Sequence, residues 1–256
     1  MKEKKVVKLR KNNFFKNAIF IPFILIIAAL VILSFSPLFD IKHLEIEGNF
    51  RLTENSIIKA SEIELNSNIL RLNKNIIKEN IKSLSYVESV SVKRDWPDTV
   101  TIYVTEKSDF AKLEVLGAVV TVDENGTVLQ AFSDGTDIDL PLIDNIEILS
   151  YGVNKTIEST SQDKFNNILE VLKIFKKNDM LNIIERILQG SNIIIYTKDG
   201  HVINVGDISD LEYKCKRLKA VLDVEKNEKY YFDISNINIY PVSKPLWAIT
   251  QDEVIE

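Results

Sequence analysis

Cys215 is the one residue of the chain that could act as a thiolate nucleophile, because no other cysteine occurs. An anchored extracytoplasmic enzyme of the sortase type would combine such a cysteine with a histidine and an arginine. Leu211, Leu218 and Leu222, however, recur with Cys215 at helical spacing, which predicts a thiol packed against a core. A thiol in apolar surroundings is inert, so the pattern argues against this chemistry.

The other reactive residue types predict neither a catalytic nor a metal site. His43 and His201 have no neighbouring ligands at the spacing typical of His/Cys zinc sites. The acidic residues are dispersed as on a solvated surface, and no pair stands out as an acid and a base. Asn125 and Asn154 match the glycosylation acceptor pattern, which is equally typical of plain turns. We therefore expect a non-enzymatic protein with no cofactor, no metal and no small-molecule substrate.

The elements that position any functional surface begin with an uncharged run of 23 residues, from Asn17 to Phe39. As a helix, such a run crosses the roughly 30 Å hydrocarbon core of a bilayer. Residues 1–16 carry seven basic residues and one acid, which predicts a cytoplasmic arm and an extracytoplasmic C-terminal part. The run is longer than a signal-peptide core and lacks an A-x-A site, which favours a retained anchor over a cleaved signal peptide.

The remainder of the chain is acidic. Residues 40–256 carry 25 basic and 36 acidic residues, a net charge of −11. Proteins that bind nucleic acid present basic surfaces, so we expect no nucleic-acid partner. The single cysteine also excludes an internal disulfide, although this part of the chain is expected to face outward.

Residues 40–107 predict a small module with the order β-α-α-β-β. The first strand ends at Gly48-Asn49, and helices start after the capping residues Thr53 and Asn73. Two alternating strands then meet at the turn Trp96-Pro97-Asp98. Two helices can cover one face of this sheet and leave the other face and an edge strand available.

The sequence of this module resembles a POTRA domain, and specifically the POTRA domain of the FtsQ/DivIB family of bacterial division proteins. The resemblance rests on two stretches, Ile46-Glu47-Gly48-Asn49 and Val92-Lys93-Arg94-Asp95-Trp96-Pro97-Asp98-Thr99-Val100-Thr101-Ile102. Its motif residues are Gly48, Asn49, Arg94, Trp96 and Pro97. Arg94 and Trp96 also fit a structural role, as a cationic strand end and a turn aromatic, better than direct partner contact.

Residues 108–242 resemble the β domain of the same family. They contain a hairpin with an Asn-Gly turn and a helix with an apolar stripe from Phe165 to Phe175. Short strands and a second helix follow, which together predict one mixed sheet backed by helices and an α+β fold. The expected organisation is a basic arm at 1–16, a transmembrane helix at 17–39, a POTRA domain at 40–107, a β domain at 108–242 and a short acidic tail at 243–256.

The resemblance implies a scaffold at the division septum, in a single-pass type II membrane topology. Family members bind small bitopic coiled-coil proteins of the FtsB/DivIC and FtsL types, and through them the septal peptidoglycan synthase. In the family, the last segment of the β domain lies at its edge and binds the coiled-coil partner. The expected partner-binding residues are Tyr230, Tyr231, Phe232, Asp233, Ile234, Ser235, Asn236 and Asn238.

Strand addition is the expected mode of binding at this segment, with main-chain groups of a free edge pairing with the partner. Alternation directs Phe232 and its face toward the core, and Tyr231, Asp233 and Ser235 away from it. Residues after Ile234 lack the aromatic and basic side chains of some relatives, which favours a backbone-mediated contact. The POTRA strand Thr99–Glu106 is the alternative docking edge.

Overall fold

The computed structural model describes residues 14–133, 137–222, 229–236 and 242–245. The chain forms two compact units. Unit 1 comprises the chain up to Lys82 together with Ser89–Thr105, and unit 2 comprises Ser83–Glu88 together with the chain from Glu106 onward. Residues 1–13 of the expected basic arm lie outside the described residues.

Helix α1, Phe14–Ser34, contains most of the uncharged run. Its side chains are described from Pro22 onward, and the large apolar ones are 46–74% exposed: Phe23, Ile24, Leu25, Ile26, Ile27, Leu30, Val31, Ile32 and Leu33. Among the described residues, no helix combines the length and the hydropathy that crossing a bilayer requires.

Unit 1 has the predicted β-α-α-β-β order after α1. Its three-stranded sheet has the order β1-β3-β2, with β1 parallel to β3 and His43 opposite Thr99. The central strand is therefore β3, and β1 and β2 are the edges. The elements are β1 His43–Glu47, α2 Glu54–Ser61, α3 Lys74–Lys82, β2 Val87–Asp95 and β3 Thr99–Glu106.

The helices of unit 1 start where their capping residues predict. Thr53 Oγ1 accepts a hydrogen bond from the backbone N–H of Ser56 at 3.2 Å, which caps α2. Asn73 Oδ1 accepts from the N–H of Asn75 at 3.1 Å before α3. The buried faces of these helices pack into the core of unit 1 through apolar residues such as Ile57, which is fully buried.

Unit 2 is built on a nine-stranded mixed sheet in the order β14-β13-β12-β11-β10-β7-β4-β5-β6. Helices α4 and α5 supply the other layer, which confirms the predicted α+β class. A two-stranded ribbon of β8 and β9 lies outside this sheet. The elements are β4 Ala111–Val115, β5 Ala118–Val122, β6 Val128–Ser133, β7 Leu142–Asp144, β8 Ile148–Ser150, β9 Glu158–Ser159, α4 Gln162–Lys177, β10 Ile184–Gln189, β11 Ile193–Thr197, β12 Val202–Gly206, α5 Leu211–Leu222, β13 Tyr230–Asp233 and β14 Val242–Pro245.

The core of unit 2 lies between the sheet and the apolar stripes of its helices. The predicted stripe on α4 is confirmed, and its members are at most 4% exposed: Phe165, Ile168, Leu169, Leu172 and Phe175. Each large apolar side chain buried in this way contributes roughly 1.5–3 kcal/mol. Gly126, in the β5–β6 turn, permits the approach of α4, because a Cβ there would lie 2.6 Å from Phe165 Cε1.

Candidate functional site

The C-terminal edge of the unit 2 sheet differs from the sequence-based expectation. Strand β13 pairs in parallel with β12 on one side and antiparallel with β14 on the other. In the β14 ladder, Tyr230 lies opposite Pro245 and Asp233 opposite Val242. The expectation that Tyr230–Asp233 offers an open edge is therefore wrong, because the chain itself fills that edge. The terminal strand is β14, which runs to Pro245 and past the boundary expected at residue 242.

The side chains of β13 alternate as predicted, but both faces are packed. Phe232 is fully buried in the main core, where Ile234 joins it. Tyr231 points to the other face, and it is only 8% exposed because it packs with Ile194 and Val202. The interpretation of Tyr231 as an outward contact residue is thus corrected, since its ring is part of a second apolar cluster.

The residues after β13 form a closed local turn. Asp233 Oδ1 accepts hydrogen bonds from the N–H of Ser235 at 2.9 Å and from its hydroxyl at 2.7 Å. The N–H of Ile234 donates to the carbonyl oxygen of Asn204 at 2.9 Å. Ser235 is thus held by its own chain. Asn236 is the last described residue of this segment, and Asn238 lies outside the described residues.

His201 holds the start of β13, a role that the sequence did not indicate. Its Nδ1 accepts a hydrogen bond from the backbone N–H of Tyr230 at 3.0 Å. Its ring meets that of Phe232 edge-on at 5.4 Å between centroids. Burial lowers the pKa of His201, against the opposing charge of Asp199, which favours the neutral ring that can accept this bond.

Lys214 fixes the connection between β12 and α5 from inside the domain. Its side chain is 1% exposed, and Nζ donates to the carbonyl oxygens of Val205 and Asp207, each at 3.1 Å, and to Asp207 Oδ1 at 3.0 Å. Hydrogen bonds from the Ser209 hydroxyl and then from Lys214 lower the pKa of Asp207 to about 2. A buried ammonium with three acceptors satisfies all of its donors, which is the condition for its burial.

Cys215 lies on α5 as the leucine spacing predicts. Its side chain is fully buried in the main core with Leu211 and Leu218. Burial raises the pKa of the thiol to about 11, so the nucleophilic thiolate is scarce at neutral pH. Within the described residues, no group of three or more His, Cys, Asp or Glu side chains is arranged to hold a metal ion.

Two of the POTRA motif residues, Gly48 and Asn49, shape the turn that follows β1. Gly48 has φ +84° after β1, and a Cβ there would lie 2.2 Å from the carbonyl oxygen of Val104. Asn49 Nδ2 donates to the carbonyl oxygen of Leu52 at 2.9 Å. These contacts close the turn between β1 and α2 against β3, which no residue with a side chain at position 48 allows.

The other motif residues lie at the opposite end of unit 1. Arg94 Nη2 donates to the carbonyl oxygen of Leu72 at 2.6 Å and ties β2 to the start of α3. Trp96, next to Pro97, is 55% exposed and meets Phe39 edge-on at 6.1 Å between ring centroids. The alternative docking edge on Thr99–Glu106 is corrected, because β3 is the central strand of the sheet and pairs with β1 from Thr99 to Tyr103.

Comparison with known proteins accounts for both units. The model of the FtsQ-type POTRA domain matches residues 39–107, and that of the C-terminal domain of cell division protein FtsQ/DivIB matches residues 111–235. The cell division protein DivIB of Clostridium tetani is 30% identical over 208 residues, which cover 80% of this chain and 78% of that protein. DivIB of Clostridium botulinum strain Hall is 25% identical over 236 residues, covering 90% and 91%. The chain belongs to the FtsQ/DivIB family of bacterial cell division proteins.

Proposed function

We propose that this protein is a non-enzymatic scaffold of the bacterial division machinery. It binds bitopic coiled-coil proteins of the FtsB/DivIC and FtsL types, and through them it helps to recruit or regulate the septal peptidoglycan synthase. Support comes from the family, whose relatives named above are cell division proteins. The buried, protonated Cys215 gives no support to the alternative, a sortase-type enzyme.

The single observation that carries the partner-binding proposal is the position of β14 at the end of the sheet. In the part of the chain that the structure describes, β14 pairs with β13 alone. Its other side offers backbone N–H and C=O groups to an extended partner segment, which would become the next strand. Strand β13 keeps a role in this proposal, because Tyr230–Asp233 pair with β14 and hold it at the end of the sheet.

The contact at β14 is necessarily short. The strand has four residues, and Pro245 has no N–H to donate. In an antiparallel ladder, donors alternate between the two sides of a strand, so only about two residues of β14 point their donors at a partner. Confinement of both proteins to one membrane raises their effective concentration, which makes such a limited contact sufficient.

The membrane part of the proposal is a single anchor from Asn17 to Phe39. Support comes from the exposed apolar side chains of α1 between Phe23 and Leu33, which cover all sides of the helix. The arm at 1–16 stays in the cytoplasm, and the POTRA domain at 40–107 and the β domain at 108–242 lie outside, at the septum. Protease added to wall-stripped cells should then remove the chain beyond about residue 40 and spare the arm. A shortened protein released without protease would instead mean a cleaved signal peptide.

Proline substitutions on β14 test the docking site. Ser243 and Lys244 are neighbours, so one proline substitution removes an N–H from the free side of β14 and the other removes one from its ladder with β13. Both changes lie at the end of the sheet, away from the main core, so the domain should remain folded. We expect both to abolish capture of the FtsB/DivIC-type partner and septal localisation of a fluorescent fusion. Ala131→Pro, at an exposed position of the opposite edge strand β6, is the matched control and should retain capture. Normal capture by both β14 variants would place the docking site elsewhere.

A further inference from the structure

The end of α1 is joined to unit 1 without a flexible linker. Asn68 Nδ2 donates to the carbonyl oxygen of Ser34, the last residue of α1, at 2.8 Å. Asp40 forms an antiparallel bridge with Asn68, and Ile41 exchanges backbone hydrogen bonds with Ser67 and Asn66 at 2.9 and 2.8 Å. Because Ile41 is fully buried, the chain that leaves the helix is already part of the unit 1 core.

Large apolar and aromatic side chains are exposed on unit 1 around this junction. We define the helix-proximal face by five residues: Phe35, Leu38, Leu70, Arg71 and Trp96. The four apolar members are 63%, 50%, 40% and 55% exposed, respectively. The Arg71 guanidinium lies 4.5 Å from the centre of the Phe35 ring, so its charge is held beside the aromatic group.

This composition fits the interfacial layer of a bilayer. Tryptophan and other aromatic rings favour the headgroup level, where arginine can pair with lipid phosphate. The position of Trp96 relative to the uncharged run also fits this layer, because Phe39 ends the run and its ring contacts that of Trp96. If the run ends at the membrane surface, Trp96 lies at that surface too.

We propose that the helix-proximal face of unit 1 lies in the phospholipid headgroup layer of the membrane that the proposed anchor, Asn17 to Phe39, crosses. The inference rests on the proposed anchor, and it extends the lipid contact of that anchor to Leu70, Arg71 and Trp96 of unit 1. This contact fixes which end of unit 1 faces the membrane. The parallel register of β1 and β3 then directs Glu47 and the 95% exposed Phe50 away from it.

Tryptophan quenching in lipid nanodiscs tests the proposal with the full chain. The chain has two tryptophans, so Trp247→Phe leaves Trp96 as the only reporter. We expect nitroxide lipids labelled at the headgroup or near the carbonyl to quench Trp96 about twofold or more. Lipids labelled at the chain end should quench it little.

A matched reporter at the far end of unit 1 provides the control. A variant with Trp96→Phe, Trp247→Phe and Phe50→Trp places the only indole beyond β1, at least about 13 Å farther along the strand direction. It should be quenched by none of the labelled lipids. Equal quenching of the two reporters would overturn the proposed orientation.

An acidic substitution on the face supplies a second measurement. Leu70→Glu, which lies outside the proposed anchor, should reduce the quenching of Trp96 by lipid while the melting temperature stays the same, because Leu70 is exposed. Phe50→Glu should change neither. An unquenched Trp96 in protein that remains in the nanodisc would overturn the lipid contact and leave the anchor intact. Protein that fails to enter nanodiscs at all would instead contradict the anchor itself.

Discussion

Replacement of Lys214 is expected to destabilise unit 2 through the loss of its hydrogen bonds rather than through lost packing. Lys214→Met keeps the length of the side chain and removes the ammonium that donates to Val205, Asp207 and the Asp207 carboxylate. The Asp207 side chain is 73% exposed, so water can replace the lysine at that carboxylate. The carbonyl of the fully buried Val205 has less access to water, and it loses its partner outright.

The expected loss follows from these partners. Hydrogen bonds to a charged group contribute roughly 1.5–3 kcal/mol each, but the solvated carboxylate contributes little. Methionine also removes the cost of burying an ammonium, which offsets part of the loss. We therefore expect a destabilisation of about 2–3 kcal/mol, with a melting temperature lower by roughly 5–10 °C. Lys214→Ala should cost about 1–2 kcal/mol more, because it leaves a cavity.

Thermal unfolding of residues 40–256, followed by circular dichroism, measures this effect. Lys216→Met is the matched control on the same helix, since Lys216 is 65% exposed and forms an ion pair with Glu212 at 3.4 Å. It should change stability by less than about 0.5 kcal/mol. If the two methionine variants melt together, the buried ammonium does not stabilise the loop, and the reasoning fails.

Three further predictions test other residues. Because the pKa of His201 is lowered in the folded state, the unfolded state binds the proton first, so stability should fall as pH drops below about 6.5. The melting temperature measured between pH 5 and 8 should therefore depend on pH, and His201→Gln should remove that dependence. Cys215→Ser should complement a depletion strain, with a modest loss of stability of about 1–3 kcal/mol, and the native thiol should resist maleimide at pH 8; a folded, abundant variant that fails to complement would revive the nucleophile hypothesis. Gly48→Ala should cost more than about 2 kcal/mol in urea titrations, because its Cβ would overlap the Val104 carbonyl, and a neutral result would contradict that close approach.

Local signals account for the parts of the fold that the sequence predicts correctly. These parts can be recognised from residues that lie close together in the sequence. They are the caps at Thr53 and Asn73, the stripe on α4 and the alternation of β13. The position of Cys215 follows from the same periodicity. Each of these features depends on neighbours in sequence, so the pattern contains the necessary information.

The errors arise where strands pair over long distances. Strand β14 has only four residues, follows Pro241 and ends at Pro245, so its pattern predicts a tail. Strand β12 is buried on both faces and shows no alternation that would reveal its neighbours. The bond between His201 and Tyr230 joins residues 29 positions apart, and nothing in the local sequence indicates it.

The composition of the two sheet edges has a consequence for solubility. If the proposed anchor holds the nine-stranded sheet in one membrane plane, its edges are exposed to edge-to-edge aggregation with other copies of the protein. At one edge, Val128 of β6 exchanges backbone hydrogen bonds with Asn154 and Lys155, each at 2.9 Å, which seals the start of that strand. At the other edge, β14 carries the exposed Lys244 and the donor-free Pro245. Charge repulsion and the missing donor oppose the growth of a continuous intermolecular sheet, so an edge that is open to the proposed partner need not cause aggregation.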